Sequence, residues 1–308
     1  MQHLQRIEEV QLERPSVVTI GVFDGVHRGH QHLIGRLVEQ AHAQGRLAVV
    51  LTFFPHPDVV IKGIADRYYL TTDAQRAALL GGLGVDYVIT LQFDDHLRQI
   101  RAARFVDLMK AHLKLETLWV GSDFAMGHRR EGNVDFLRAQ GVEKGFTLQV
   151  IDLIMGNHSA ISSTSIRQAL QDGDVEQARD WLGRAYSVRG EVVHGLQRGH
   201  TIGFPTANID VWNMQVIPAN GVYAGWAILN GRRHMAVTNV GTRPTFNGDN
   251  TTVEAHLLDF DQDIYGEQLE FTFETRLRPE TRFDGIQALI AQIGADAEQA
   301  RRHLESQS

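Results

Sequence analysis

The 308-residue sequence contains no cysteine, only 7 prolines and no long apolar run. The absence of cysteine excludes disulfide bonds, thiolate zinc sites and a cysteine nucleophile, so any bound metal must be held by oxygen or imidazole ligands. No segment approaches the roughly 20 apolar residues that a membrane-spanning helix needs, and residues 1–15 lack the apolar core of a signal peptide. The sequence therefore predicts a cytoplasmic protein without a membrane partner.

The sequence also lacks an excess of positive charge. Its 30 Lys and Arg residues are outnumbered by 37 Asp and Glu residues, which gives a formal net charge of −7. A protein that binds nucleic acid usually presents a strongly basic face. We therefore expect no nucleic-acid partner.

Two histidines stand three residues apart, at a turn between a predicted strand and a predicted helix. Residues 16–20 are β-branched and apolar, and apolar residues recur at helical spacing over 33–41. His27 and His30 therefore lie near a helix N-terminus, where free N–H groups and the helix dipole favour an anion. Gly29 lets a phosphate approach the backbone, and the imidazoles can donate to phosphate oxygens as negative charge develops. This H-x-G-H arrangement resembles the signature of the α/β nucleotidyltransferases and of the class I aminoacyl-tRNA synthetases, and the acidic charge disfavours the synthetases.

The order of predicted elements indicates two domains, 1–183 and 184–308, each long enough to bury a core. Strands and helices alternate up to about residue 180, which predicts a parallel sheet with helices on both faces. The second part has short β-rich segments separated by Gly, Pro and Asn, which predicts a small antiparallel barrel. Residues 283–300 carry one apolar stripe at helical spacing, which predicts a terminal helix with that stripe as a core face. The predicted barrel strands are residues 187–193, 221–229, 234–240, 251–258 and 269–273.

A second phosphate signal lies at residues 161–167, where a predicted helix begins with four hydroxyl side chains and then Arg167. A single Ser or Thr at a helix start is usually only a cap. Four hydroxyls and a planar guanidinium exceed what capping requires and suit the oxygens of a leaving pyrophosphate.

The run Pro55-His56-Pro57 follows a predicted strand over 47–54. Ligands of open α/β sheets bind outside the carboxyl ends of the strands, so this loop could form one wall of a site for a flat aromatic substrate. The alternative is a rigid loop without a ligand.

The predicted barrel carries oxygen ligands of its own. Thr206 and Asn208 are two apart in an extended segment, so they share one side and offer hard oxygens to Mg²⁺. Glu254 alternates with apolar neighbours on a predicted strand, and it is a candidate general base if Thr206 and Asn208 hold a magnesium nucleotide nearby. Otherwise Glu254 is a solvated carboxylate. Residues 195–203 are glycine-rich, but their spacing matches neither the P-loop nor the dinucleotide fingerprint.

Taken together, these motifs resemble those of the prokaryotic bifunctional riboflavin kinase/FMN adenylyltransferases, also called bifunctional FAD synthetases. The resemblance spans nearly the whole chain. The Gly-Phe-Pro-Thr-Ala-Asn run and the Glu-x-His-Leu-Leu-Asp-Phe run are specific to flavokinases, whereas a superfamily shares H-x-G-H. The matching segments are residues 21–30, 55–57, 121–124, 161–167, 203–208, 221–223, 239–246 and 254–260.

The resemblance implies an α/β chain, with a Rossmann-like nucleotidyltransferase domain followed by a riboflavin kinase barrel and a terminal helix. It implies a transferase with two reactions. The barrel would transfer the γ-phosphoryl group of ATP to the 5′-hydroxyl of riboflavin, with Mg²⁺, to give FMN. The first domain would transfer AMP from ATP to FMN, to give FAD and pyrophosphate.

The resemblance also assigns roles to single residues. His27 and His30 would stabilise the transition state at the α-phosphate, and Glu254 would be the base of the kinase. Family members usually have an aromatic residue in place of Met126, where it would stack on the flavin. They usually have a basic residue in place of His200, where it would contact a phosphate. The implied ATP and phosphate contacts are Gly21, Phe23, Asp24, Gly29, Ser163, Thr164, Arg167, Gly199 and Gly203; the flavin contacts are Pro55, Pro57 and Asp123; and the magnesium ligands are Thr206 and Asn208.

Two other functions fit part of the pattern. One is a flavin-binding or regulatory protein in which one domain has lost catalysis and only senses a nucleotide. The other is an adenylyltransferase for nicotinamide mononucleotide or phosphopantetheine with an unrelated barrel, which the Gly-Phe-Pro-Thr-Ala-Asn run disfavours. Turnover of riboflavin with ATP and Mg²⁺ distinguishes the two-reaction enzyme from the flavin-binding or regulatory protein.

Overall fold

The computed structural model describes residues 1–151, 161–195, 203–245 and 248–306. The chain divides into two compact units, residues 1–163 and 164–308. Each unit has its own sheet and its own buried apolar residues.

The first unit is built on a six-stranded sheet in which every neighbouring pair is parallel. The strand order is β1-β4-β3-β2-β5-β8, so the order reverses at β2. The strands are β1 Gln2–Leu4, β2 Ser16–Ile20, β3 Leu47–Phe54, β4 Tyr87–Gln92, β5 Leu115–Gly121 and β8 Thr147–Ile151, and a separate hairpin joins β6 Ala125–Met126 to β7 Gly132–Asn133. This confirms the predicted parallel α/β architecture.

Helices pack against both faces of this sheet. The apolar stripe predicted for α1 is its buried face, because Ile34, Leu37 and Ala41 have no exposed surface. They pack with the β3 residues Ala48 and Val50. The helices of the unit are α1 Arg28–Ala43, α2 Pro57–Lys62, α3 Asp73–Gly82, α4 Asp95–Gln99, α5 Ala102–Leu113 and α6 Val134–Lys144.

The second unit is a closed six-stranded barrel in which every neighbouring pair is antiparallel. The strand order is β10-β13-β12-β11-β14-β9, and pairing of β9 with β10 closes it. The elements are α7 Ser163–Asp172, α8 Val175–Leu182, β9 Tyr186–Val193, β10 Ala207–Val211, β11 Gly221–Leu229, β12 Arg232–Thr245, β13 Gly248–Leu257, β14 Gln268–Arg278 and α9 Ile286–Glu305. The predicted barrel and terminal helix are confirmed.

The terminal helix α9 is attached to the barrel chiefly through its second half. Asp296 is buried, and its carboxylate accepts three hydrogen bonds from the Arg278 guanidinium at 2.8–3.1 Å. Ala300 and Leu304 are fully buried, whereas Ile286 at the start of the helix is 58% exposed. The expectation that the whole stripe is a core face is therefore wrong for the first turn.

Helix α8 packs against the barrel strand β14, and α7 directly precedes α8 in the chain. Leu170, Val175 and Leu182 have no exposed surface. The Thr275 hydroxyl on β14 donates to the Glu176 carboxylate on α8. Residues 164–182 therefore belong to the compact unit of the barrel. That residues 184–308 form a domain that folds by itself stays a prediction.

We expect a fragment of residues 164–308 to be more stable than one of residues 184–308. The shorter fragment loses the apolar side chains of α7 and α8, and each Val or Leu that becomes exposed costs about 1.5–3 kcal/mol. A loss of several kcal/mol lowers the unfolding temperature of a domain of this size by roughly 5 °C or more. Thermal unfolding followed by circular dichroism measures the difference, and equal unfolding temperatures would favour the boundary at 183.

Candidate active sites

The turn that follows β2 lies where the strand order of the parallel sheet reverses. β3 flanks β2 on one side and β5 on the other, and ligands of open α/β sheets bind in the crevice at such a point. The turn is tight, because Phe23 has a left-handed φ of 52° and a Cβ at Gly21 would be 2.7 Å from the Phe23 ring. Glycine at position 21 thus allows the aromatic ring to fold across the backbone.

Asp24 fixes the shape of this turn. The side chain is 1% exposed and accepts the backbone N–H of Leu70 at 3.0 and 3.1 Å and that of Thr71 at 3.1 Å. The Thr71 hydroxyl donates to the same carboxylate at 3.2 Å, and the Ser163 hydroxyl donates to the Asp24 carbonyl at 2.9 Å. Any contribution of Asp24 to a nucleotide site therefore comes through the shape of the turn.

His27 and His30 form a stacked pair at the start of α1. Their ring centroids are 3.6 Å apart, with an interplanar angle of 21°. His27 is the N-cap residue of α1, and its Nδ1 accepts the His30 backbone N–H at 3.4 Å. The rings of Phe23 and His30 meet edge to face at 5.1 Å, and a Cβ at Gly29 would be 3.2 Å from the His27 ring. Two imidazoles are thus held together at a helix N-terminus, where an anion is favoured.

The His30 imidazole is neutral at neutral pH. Burial, and to a smaller degree the neighbouring His27, lower the pKa of His30 well below its ordinary value of 6.5. The His30 Nδ1 is shielded from solvent and makes no hydrogen bond within the part of the chain that the structure describes. Before a ligand binds, the pair therefore keeps a ring nitrogen of His30 without a partner.

This lowered pKa predicts how stability depends on pH. As the pH falls below about 6.5, the unfolded chain protonates position 30 while the folded chain does not, so the free energy of unfolding decreases. We expect His30→Gln to lose less of that free energy than the parent between about pH 7.5 and pH 5.5. Urea denaturation at several pH values measures it, with His96→Gln, an exposed histidine of α4, as the control. Identical pH dependence in parent and His30→Gln would contradict the expectation.

A buried arginine that the sequence analysis missed joins two loops of this site. Arg76 has no exposed surface, and its guanidinium donates to the Val22 carbonyl at 2.9 Å and to the Phe53 carbonyl at 3.0 Å. It therefore links the turn after β2 to the end of β3, ahead of the Pro-His-Pro run. In the sequence, Arg76 directly precedes Ala77 and lies four residues before Leu80. Both of these residues are buried, so their apolar spacing was the available signal that Arg76 is buried as well.

The Pro-His-Pro run is a rigid entry to α2. Pro57 is the first residue of that helix, and His56 caps it by accepting the Asp58 N–H at 2.9 Å. The His56 backbone N–H in turn donates to the Tyr69 hydroxyl at 2.8 Å. The loop is therefore rigid, and it also lines a cavity.

This cavity has a volume of about 710 Å³, within the range of small-molecule sites. Pro57 lines it, together with Gly21 and Val22 from the turn after β2. Its described lining includes neither Pro55 nor Asp123, and Asp123 is exposed. Met126 also lines the cavity, at the place where the family usually has an aromatic residue. The phenylalanines of the lining are Phe53, Phe93, Phe105 and Phe124.

The hydroxyl-rich segment starts α7. Ser163, the last residue of the first unit, contacts the turn through the Asp24 carbonyl. Thr164 and Arg167 fall in the second unit, where Thr164 is exposed and Arg167 is 8% exposed.

On the barrel, three polar side chains form one row across neighbouring strands. Asn208 on β10 pairs with Glu254 on β13, and Glu254 pairs with Asn239 on β12. Directly paired residues of antiparallel strands place their Cβ atoms about 4.5–5.5 Å apart on one face. Their chain neighbours Ala207 and Ala255 are buried, so the row faces the outside of the barrel. Asn239 was not singled out from the sequence, although its run was part of the resemblance.

The segment that leads into β10 is held against this row. The His256 Nδ1 lies 2.8 Å from the Pro205 carbonyl oxygen, and the rings of His256 and Phe204 meet edge to face at 5.4 Å. A Cβ at Gly195 would be 2.3 Å from the Asn208 Nδ2, so only glycine allows this approach. The Asn208 amide therefore packs against the Gly195 backbone, at the strand position paired with Glu254.

A cavity of about 470 Å³ opens beside this segment. Thr206 lines it, with Pro205 and Ala207 on one side and Phe260 and Tyr265 on the other. Gly203 precedes it with a left-handed φ of 85°. The predicted phosphate contact Gly199 and the departure at His200 lie outside the described residues.

The two units thus differ in the chemistry they can support. A histidine pair at a helix N-terminus suits charge that develops on a phosphorus atom. Oxygen donors beside a carboxylate suit a metal-bound nucleotide and a hydroxyl nucleophile. Two such sites in one chain suit a transferase that uses a nucleotide in two ways.

Comparison with known proteins narrows this class to one family. The family model for FAD synthetase matches residues 9–165, and that for riboflavin kinase matches residues 182–304. The bifunctional riboflavin kinase/FMN adenylyltransferase of Pseudomonas fluorescens is 39% identical, over 94% of this chain and 93% of its own length. The proteins of the same name from Listeria monocytogenes and Escherichia coli are each 38% identical, over 92% of this chain and 91% of their own. The chain belongs to the bifunctional riboflavin kinase/FMN adenylyltransferase family.

A solved structure has the same fold over nearly the full length. It is described as a macrolide-efflux protein from Streptococcus pneumoniae, is 31% identical, and superposes with a TM-score of 0.87 over 97% of this chain and 98% of that one. Within the described ranges, no helix of the present chain is both long and apolar enough to cross a membrane. The family makes the chain an ATP-using transferase of flavin cofactor synthesis, with an FAD synthetase half and a riboflavin kinase half.

Proposed function

We propose that this chain makes FAD from riboflavin in two ATP-dependent steps, one in each unit. The barrel phosphorylates riboflavin to FMN, and the α/β unit transfers AMP from ATP to FMN and releases pyrophosphate. The observation that carries this proposal is the presence in one chain of the stacked His27–His30 pair and the Asn208–Glu254 pair.

In the adenylyl transfer, a phosphate oxygen of FMN attacks the α-phosphorus of ATP as the bond to the pyrophosphate oxygen breaks. His27 and His30 donate N–H groups to the oxygens on which negative charge builds up. Gly21, Phe23 and Asp24 shape the turn, and Gly29 gives the phosphates access to the backbone. The proposed contacts to the outer phosphates are the Ser163 and Thr164 hydroxyls and the Arg167 guanidinium.

In the phosphoryl transfer, the 5′-hydroxyl of riboflavin attacks the γ-phosphorus of ATP and ADP leaves. Glu254 accepts the hydroxyl proton, which makes the oxygen a better nucleophile. Asn208 is its partner across the strands, which brings the base and a proposed ATP ligand onto one face. Gly199 and Gly203 are proposed contacts to the phosphates.

The donor set on the barrel fits Mg²⁺. Thr206 and Asn208 offer neutral oxygens, and Mg²⁺ prefers a few protein oxygens together with phosphate oxygens and water. No Thr206 or Asn208 side-chain hydrogen bond competes for these oxygens among the described residues. When bound, the ion would neutralise charge on the transferred phosphate.

For the flavin, we propose the 710 Å³ cavity of the first unit, with its aromatic side chains around the isoalloxazine ring. Pro57 forms part of its wall. Pro55 and Asp123 are proposed flavin contacts at its margin.

Product analysis with riboflavin as the only flavin tests the proposal. Riboflavin, ATP and Mg²⁺ are incubated with the protein and the flavins are separated by chromatography over time. We expect FMN to appear first and FAD afterwards, and neither to form with excess EDTA. Unchanged riboflavin would favour a binding protein, and FMN without FAD would exclude the second step.

A further inference from the structure

A short basic turn in the wall of the 710 Å³ cavity has no role so far. The turn connects β6 to β7 and covers residues 127–131; we refer to it as the arginine turn. His128, Arg129 and Arg130 all line the cavity. Gly21 and Val22, at the start of the turn after β2, line the same cavity, so one space extends from the end of β2 to the arginine turn.

The arginine turn has a strained backbone. Arg129 has φ 52° and Arg130 has φ 60°, which places two consecutive residues with side chains in the left-handed region. This conformation costs roughly 1–2 kcal/mol per residue in L-amino acids. Such strain persists where the surroundings enforce it, and it concentrates at ligand clamps and active sites.

The surroundings of the turn enforce this conformation. The His128 N–H donates to the Ile100 carbonyl at 2.9 Å, and the Glu131 carboxylate accepts the Ala102 N–H at 2.8 Å and the Arg101 Nε–H at 2.7 Å. A Cβ at Gly127 would be 2.6 Å from the Ala102 nitrogen, so the turn lies directly on the start of α5. The two arginines are therefore presented from a fixed backbone.

The charges of these two arginines are not balanced within the cavity. Arg98 and Asp95, which also line the cavity, form an ion pair at 2.7 Å, so their charges cancel. The Asp58 carboxylate forms an ion pair with Lys62 at 3.0 Å. Arg130 donates to the Asp123 carbonyl at 3.2 Å, and Arg129 has no hydrogen bond or ion pair with any described residue. Two guanidinium groups thus remain available to an anion.

We propose that the arginine turn binds the phosphate group of FMN and so makes this cavity select FMN over riboflavin. The inference rests on the proposed flavin site in the first unit. FMN and riboflavin differ only in a phosphate that carries a charge of about −1.5 to −2 at neutral pH. Planar guanidinium groups bind such oxygens with two parallel hydrogen bonds. They hold the oxygens that do not attack, and the neutral 5′-hydroxyl of riboflavin gains nothing from them.

The test is the FMN dependence of FAD formation by the full-length protein carrying both Arg129→Gln and Arg130→Gln. We expect KM for FMN to rise roughly 10-fold for each guanidinium removed, since a hydrogen bond to a charged group contributes about 1.5–3 kcal/mol. KM for ATP and the inhibition constant of lumiflavin, which has the ring but no phosphate, should stay within about 2-fold. Arg138→Gln on α6, whose arginine is exposed and paired with Asp135, is the matched control.

A second variant separates binding from backbone structure. Arg129→Gly removes the guanidinium and also relieves the left-handed strain, so it should raise the unfolding temperature while it raises KM for FMN. The double variant with Arg129→Lys and Arg130→Lys keeps both charges, so its KM for FMN should lie between those of the parent and of the double glutamine substitution at the same positions.

Three results would overturn the proposal: an unchanged KM for FMN, an equal loss of FMN and lumiflavin binding, or a rise in KM for ATP alone. Absence of FAD formation in the parent protein would instead refute the proposed function.

Discussion

Replacement of both His27 and His30 by alanine should abolish FAD formation while FMN still accumulates from riboflavin. The stacked pair supplies N–H donors only to the transition state of adenylyl transfer, and loss of one such donor typically lowers kcat by about 10²–10³. The proposed residues of the kinase lie in the other unit, so the first reaction should continue. Chromatography of the flavins after incubation with riboflavin, ATP and Mg²⁺ measures both activities in one sample.

Two further variants make this result specific. His32→Ala removes an exposed imidazole from the same helix and should leave FAD formation unchanged. His27→Asn keeps a side chain that can cap α1, so a loss of FAD formation in a variant with unaltered thermal unfolding would assign the effect to chemistry. Equal loss of both activities in a folded double variant would contradict separate sites.

The architecture was accessible from the sequence where apolar periodicity was strong. The buried face of α1 and the barrel strand Gly221–Leu229 follow their apolar patterns. Helix α6 was not predicted, because it buries little besides Leu137 and leaves Val142 87% exposed, so it carries no apolar stripe. The three-residue strand β1 was missed for a similar reason, since it pairs only along one edge of the sheet. Strand β10 was expected only as an extended segment.

The candidate sites were accessible only in part, because a motif identifies residue types but not their partners. Asp24 was grouped with the phosphate contacts, yet its carboxylate accepts backbone N–H groups from residues 70 and 71, which are distant in the sequence. Arg76 is not part of any motif identified in the sequence, although its hydrogen bonds join the two loops of the first site. The pairing of Asn208 with Glu254 depends on the register of β10 and β13, which the sequence pattern did not predict. Contacts between distant segments are thus what the sequence alone did not disclose.

The strand register pairs Glu254 with Asn208, the proposed ATP ligand. A single substitution at Glu254 tests whether this carboxylate acts as the base of the kinase. Glu254→Gln keeps the size and hydrogen-bonding reach of the side chain but removes its ability to accept the proton of the 5′-hydroxyl. We expect the rate of riboflavin phosphorylation to fall by about 10²–10⁴ with little change in KM for riboflavin, because the lost interaction belongs to the transition state. Initial rates of FMN formation at saturating ATP measure the effect.

The neighbouring residues make this test sharper. Glu191→Gln, at an exposed glutamate of β9 in the same barrel, should leave the kinase rate unchanged. Asn208→Ala should instead raise KM for magnesium ATP, because Asn208 is the proposed ligand on the opposite strand. Adenylylation of supplied FMN should persist in all three variants. A normal kinase rate in Glu254→Gln would leave Glu254 a solvated strand carboxylate, and phosphoryl transfer would then depend on Mg²⁺ and the positioning of the hydroxyl alone.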